Sequence, residues 1–137
     1  MKHFNRLAIV VLIVASLLSA CGPKTETVEK VSPSMLEPIE GTDLSRVILT
    51  EKAAERIGVQ TVQASGLEVP YAAVIWDTEG NTWVYTNPEP LTFVRAAIVI
   101  DHIEGDTAFL AEELDSAITV VTVGVAEIYG TETGVSK

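Results

Sequence analysis

Twelve residues near the start, Leu7 to Leu18, form an apolar run broken only by Ser16. As a helix that run reaches ~18 Å, short of the ~30 Å hydrocarbon core of a bilayer. The six residues ahead of it carry Lys2 and Arg6 and no acid. A basic start, a short apolar stretch and small residues behind it read as a secretory signal peptide over residues 1–20. Such a segment is an address, and it is set aside before the fold is considered. What remains has room for one ordinary domain. With 47% hydrophobic and 20% charged residues overall, the chain is not of disordered composition.

The small residues behind the run are Leu18-Ser19-Ala20-Cys21. They resemble the bacterial lipobox, in which the signal is cut ahead of the cysteine and the thiol is lipidated. Cys21 is the chain's one cysteine. The resemblance implies a lipoprotein, palmitate-bearing at Cys21, anchored in the cell envelope and facing the periplasm. Acyl chains hold such a protein at ~0.8 kcal/mol per buried CH2. The other reading is an uncleaved N-terminal anchor with Cys21 as a free thiol. Either way the body is tethered to a membrane outside the cytoplasm. By resemblance to Gram-negative lipoproteins, Gly22 in the following place leans towards the outer membrane. One cysteine also excludes an intramolecular disulfide framework and a multi-cysteine metal site. Removing residues 1–20 takes away Lys2 and Arg6 and no acid, so the net charge moves from −10 to −12. That acidity argues against a nucleic-acid backbone as partner. It also repels anionic headgroups, so the lipid must do the holding.

Residues 21–43 hold Pro23, Pro33 and Pro38, several Ser and Thr, four Glu and few large apolar side chains. They read as the lipidated cysteine and a flexible linker. From Leu44 the pattern changes. Val47-Ile48-Leu49 is a strand candidate. Thr50 is placed to cap a short helix over Glu51–Ile57, with acid first, Arg56 near the end and Gly58 as terminator. A strand follows from Val59. Tyr71–Trp76 and Thr82–Thr86 read as a hairpin around Asp77–Asn81. Leu91–Ile103 reads as one long strand, Thr107–Leu110 as its return, and Ile118–Val123 as another strand. Val125–Gly130 reads as a closing helical turn, followed by a polar tail over 132–137. The expected fold over 44–131 is mainly β, a small barrel or sandwich with one short helix near its start and a helical turn at its end.

The second block resembles a specific family. Val69-Pro70-Tyr71-Ala72-Ala73-Val74-Ile75, a turn and Trp83-Val84-Tyr85 are similar to the "VPxxAV…WVY" hairpin of periplasmic adaptor subunits, the membrane fusion proteins of RND-type efflux pumps. The likeness continues through Phe93-Val94-Arg95, the Ile103-Glu104-Gly105-Asp106 turn, and Val120 to Gly130. Upstream, Val47–Thr50 and Arg56–Thr61 resemble the stretch ahead of the adaptors' lipoyl and barrel regions. Only about eight residues separate the two blocks, and no heptad stretch is present, so the coiled-coil hairpin, lipoyl domain and barrel are missing. The resemblance implies the family's membrane-proximal domain alone, built from both blocks. It implies an accessory role: docking on, or modulating, an RND-type inner-membrane transporter or a full-length adaptor. Two other readings stand beside it. One is a periplasmic metal-ion or small-ligand binding lipoprotein. The other is a truncated, inactive adaptor remnant.

No catalytic set emerges, and the chain is expected to be neither an enzyme nor a cofactor carrier. After the signal one histidine remains, His102, and no Gly-x-Ser-x-Gly turn is present. His102, Glu104 and Asp106 are the candidate metal ligands. They share one strand face, whereas Asp101 is expected to point the other way. Trp76 and Trp83 flank the Asp77–Asn81 turn and read as cross-strand packing. Glu112 and Glu113 read as solvated acids.

Overall fold

The computed structural model describes residues 32–134. Cys21, and the part of the expected linker before residue 32, lie outside them. Ten strands form in chain order: β1 Ser34–Pro38, β2 Ser45–Leu49, β3 Gln60–Gln63, β4 Glu68–Pro70, β5 Ile75–Trp76, β6 Thr82–Glu89, β7 Thr92–Ile98, β8 Ile100–Glu104, β9 Thr107–Leu110 and β10 Thr119–Val123. Helix α1 spans Glu51–Ile57 and α2 spans Val125–Thr133. The fold is mainly β, as expected. Its open strand order makes it sandwich-like and not a closed barrel. The main antiparallel sheet runs β1-β2-β7-β6-β10-β3, with β5 added on β6; a second sheet runs β4-β9-β8.

Alternation of side chains along the central strands explains the layering. One face of the main sheet presents Val47, Leu49, Tyr85, Phe93 and Val121 to Ala53 of α1 and Ile128 of α2. The other presents Val84, Ile98 and Val120 to Val69, Ala108 and Leu110 of the second sheet. The main sheet is thus the middle layer, with helices on one side and three strands on the other. Val47, Val84, Val120, Val121 and Ile128 are fully buried. Each contributes ~1.5–3 kcal/mol of apolar burial.

Helix α1 forms as its sequence indicates. Thr50 accepts from the Ala53 backbone N–H at 3.2 Å, Glu51 sits in the first turn, and Gly58 closes the last. Its position follows from β2 before it and β3 after it. Strand β2 pairs with β7, and β3 with β10. The upstream block and the C-terminal block therefore share one sheet.

Four expectations need correction. First, Ser34–Pro38 lies in the expected linker yet pairs with all five residues of β2. An edge strand needs little apolar content, because what it satisfies is its neighbour's backbone. Second, Tyr71–Ala73 is a 3-10 turn, and only Ile75–Trp76 pairs with β6. Strand β4 belongs to the second sheet, and the chain must turn at Pro70 to reach the main one. Third, the long strand is two: β7 leaves the main sheet at Ile98, and β8 enters the second after Val99. Fourth, α2 continues through Thr133, so the expected tail begins inside a helix. Its N-cap is Gly124, whose φ is 89°. A Cβ there would sit 2.6 Å from Ile57 Cγ2.

Candidate functional site

Three clusters of polar and aromatic side chains follow from this layering. The first is an ionic centre between the main sheet and α2. Arg95 on β7 and Tyr85 on β6 are cross-strand partners, on the helix-facing side. Glu132, in the last turn of α2, reaches down between them. Its carboxylate accepts the Tyr85 hydroxyl, takes the Ser45 backbone N–H at 3.1 Å, and meets Arg95 Nε at 2.8 Å. The Arg95 Nε–H is out of line with the carboxylate oxygen, so that contact is ionic and not a formed hydrogen bond. The Glu132 and Arg95 side chains are 3% and 11% exposed. The Arg95 guanidinium also lies 4.8 Å over the Trp83 ring and 5.5 Å from the Tyr129 ring, a cation–π arrangement on two sides. Burial, then the neighbouring Glu132 carboxylate, push the Tyr85 hydroxyl far above its ordinary ionisation range. The cluster is closed to solvent and holds α2 in place. Sequence reading missed it, because Glu132 sits among polar residues that look like a tail. The one available signal was Arg95, a lone cation in an apolar strand.

The second cluster is a groove at the β5–β6 turn. Register places Trp76 opposite Thr82, and Trp83 opposite Ile75. The two indoles are therefore one step out of register and are not the opposed packing pair expected. Trp83 is fixed: its Nε1 donates to Asp77 at 2.9 Å. The same carboxylate accepts the Asn81 side-chain amide at 2.9 Å and the backbone N–H groups of Glu79 and Asn81. The Asn81 amide and then the Trp83 indole hold the Asp77 carboxyl down at about 2. Trp76, by contrast, is 53% exposed. It borders an open groove of about 580 Å³ with Trp83, Ala97, Ile98, Val99 and Ile100. Three of the four contacts of Asp77 lie within its own turn and the fourth is to Trp83; Gly80, Asn81 and Thr82 complete the groove's lining, so aromatic and aliphatic surface is edged by the polar turn.

The third is the outer face of the second sheet. His102 pairs with Phe109, and Glu104 with Thr107, which places His102 and Glu104 on one face as expected. Asp101 departs from expectation. One extra residue lies between the Ile100–Leu110 and His102–Phe109 pairs, a β-bulge. A bulge puts consecutive side chains on one side, and Asp101 Oδ2 meets His102 Nδ1 at 2.8 Å. The imidazole stacks on Phe109 at 4.5 Å between centroids. Asp106 occupies the turn behind Gly105, whose φ of 57° suits the first central place of a II′ hairpin turn. Among the described residues no three His, Cys, Asp or Glu side chains gather to hold a metal ion. The candidate ligands His102, Glu104 and Asp106 are thus not brought together as a metal set. Glu112 and Glu113 are exposed, as the solvated reading has it.

In the first two clusters the polar groups are spent on holding the closing helix and the β5–β6 turn. Among the described residues no helix is long and apolar enough to cross a membrane. No protein-family model, curated protein or solved structure matches the chain.

Proposed function

We propose that this chain is a lipid-anchored periplasmic accessory protein that docks on, or modulates, an RND-type efflux assembly. It does so as a stand-alone domain of the kind adaptors place against the transporter. The observation that supports the reading is the joining of its two resembling stretches. Residues 46–61 and 69–130 are the parts that look like adaptor sequence, and β2 and β3 from the first pair with β7 and β10 from the second. A domain that tolerates insertion keeps the two ends of the insert close, so its loss leaves a closed body. The short span from Ala64 to Pro70 makes that join here, through an isolated Ser65–Glu68 bridge and β4. Lipidation at Cys21 supplies the tether in this reading, and the body meets its partner through surface, with no chemistry of its own.

In-envelope crosslinking of the full chain, followed by identification of captured proteins, tests this. An RND-type inner-membrane transporter or its adaptor is the expected capture. Recovery of neither, with unchanged drug and metal tolerance after gene deletion, refutes the reading and leaves an inactive remnant. Mass spectrometry of the purified chain checks the anchor separately: diacylglycerol and acyl mass on Cys21 is expected, and an unmodified thiol overturns that part.

A further inference from the structure

Arg95 is the only Lys or Arg between Ile57 and Gly134, and it is buried against Glu132. The exposed carboxylates of the second sheet, Glu68, Asp101, Glu104 and Asp106, therefore have no exposed Lys or Arg from this stretch beside them. That sheet also has an open edge. Among the described residues β8 is outermost, and β9 is its only partner. The two-residue turn closes on the Glu104–Thr107 pair. Antiparallel pairs alternate, so Glu104 and His102 bond to β9 while the Ile103 N–H and C=O face outward. Natural sheets guard such edges with charge, Pro, bulges or short strands. Ile100–Glu104 has no Lys or Pro; its guards are the bulge and the carboxylates of Asp101 and Glu104, which repel acidic strands and not basic ones, and Ile103 is 44% exposed. The bulge at Asp101 limits the straight edge to His102–Glu104. Immediately before it, Val99 at 58% exposure leads into the Trp76 groove.

We propose that the β8 edge and the adjoining Trp76 groove form one docking surface. Its occupant is an extended segment of another protein in which Lys or Arg alternates with apolar residues. The segment adds as a short fourth strand beside β8, through the outward Ile103 backbone groups. Its cations face Glu104 and Asp101, and one apolar side chain enters the groove against Trp76. Charge complementarity selects the partner: a second copy of this chain would bring like charge to the same edge. The proposal is independent of the efflux reading, since any protein presenting such a segment satisfies it.

The test uses full-length chain in a non-ionic detergent and a fluorescent probe, acetyl-Lys-Val-Lys-Phe-Lys-Val-Lys-amide, followed by anisotropy. The probe is expected to bind with an affinity that falls as salt rises, while the same peptide with Glu for Lys does not bind. Ile103→Pro removes the outward N–H without touching a β9 bond, and it should weaken binding by about 10-fold or more. Trp76→Ala should do the same. Asp115→Asn, an acid outside this surface, should leave binding unchanged. Should Ile103→Pro lower the thermal midpoint, Ile103→Lys guards the edge by charge and serves instead. Equal binding to wild type, Ile103→Pro and Trp76→Ala means bulk charge alone and overturns the proposal, as does no binding. Concentration-dependent dimers in sedimentation that dissociate on Ile103→Pro assign the edge to a second copy, and overturn it too.

Discussion

Replacing Glu132 with alanine removes one carboxylate and strands three groups at once. Arg95 loses its ionic contact at 2.8 Å, Tyr85 loses the acceptor of its hydroxyl, and the Ser45 N–H loses its partner at 3.1 Å. The Arg95 side chain is 11% exposed, so water cannot readily replace the carboxylate. Breaking a buried pair by removing one partner costs about 3–5 kcal/mol. The cation–π contacts with Trp83 and Tyr129 remain and keep the loss towards the lower figure. Small domains have about 5–15 kcal/mol in all. With a urea dependence of about 1–3 kcal/mol per molar, the unfolding midpoint should fall by roughly 1–3 M. Indole fluorescence is a fitting readout, because Trp83 lies on the Arg95 guanidinium. Glu132→Gln should cost less than Glu132→Ala, since it can still accept from Tyr85. The double variant Arg95→Met, Glu132→Leu removes both charges together and should cost less than the two single changes summed, by about 0.5–3 kcal/mol. A loss below about 1 kcal/mol for Glu132→Ala would refute the reasoning. So would a double variant as costly as the sum.

Three further outcomes are expected. The Asp77 carboxyl is held at about 2 against an ordinary 3.8, so its contribution is full above about pH 4 and is lost as pH falls towards 2; the Trp83 indole N–H shift in NMR should titrate over that window, and Asp77→Asn should abolish the titration. Gly124→Ala combines a φ of 89° with a Cβ 2.6 Å from Ile57, and should destabilise by about 2–4 kcal/mol in urea unfolding, whereas Gly134→Ala meets no atom within 4 Å and should cost about 1–2 kcal/mol. Leu91 holds a φ of 60° at the β6–β7 turn, where Leu91→Gly should be neutral or up to about 1 kcal/mol stabilising and Leu91→Val should cost about 1–2 kcal/mol by thermal melting.

Local signals carried the parts of the fold that local chemistry decides. The Thr50 cap, the Gly58 stop and the Gly105 turn each depend on residues within one turn of chain, and all three lie where the sequence indicates. Strand β1 was not legible, because Ser34–Pro38 earns its place through the backbone of β2, which no side-chain pattern reports. The break between β7 and β8 was hidden for a related reason. Ala96 to Ile100 is an unbroken apolar run across the break, and nothing in such a run marks where one sheet is exchanged for another. Glu132 shows the limit most clearly. Its function is to meet Arg95, 37 positions earlier in the chain, and a polar neighbourhood makes it look solvated. At the outer face of the second sheet, one inserted residue reversed the expected direction of Asp101.

The layering separates charge as well as side chains. Helix α1 alternates Glu51, Lys52, Glu55 and Arg56 and so carries no net charge, while the opposite layer bears carboxylates. With Glu127 on α2 and Glu132 paired to Arg95, the helix side is acidic but less so than the three-stranded side. Beside an anionic bilayer the body would feel a torque that turns the three-stranded layer towards the aqueous space, presenting β8 to whatever diffuses past.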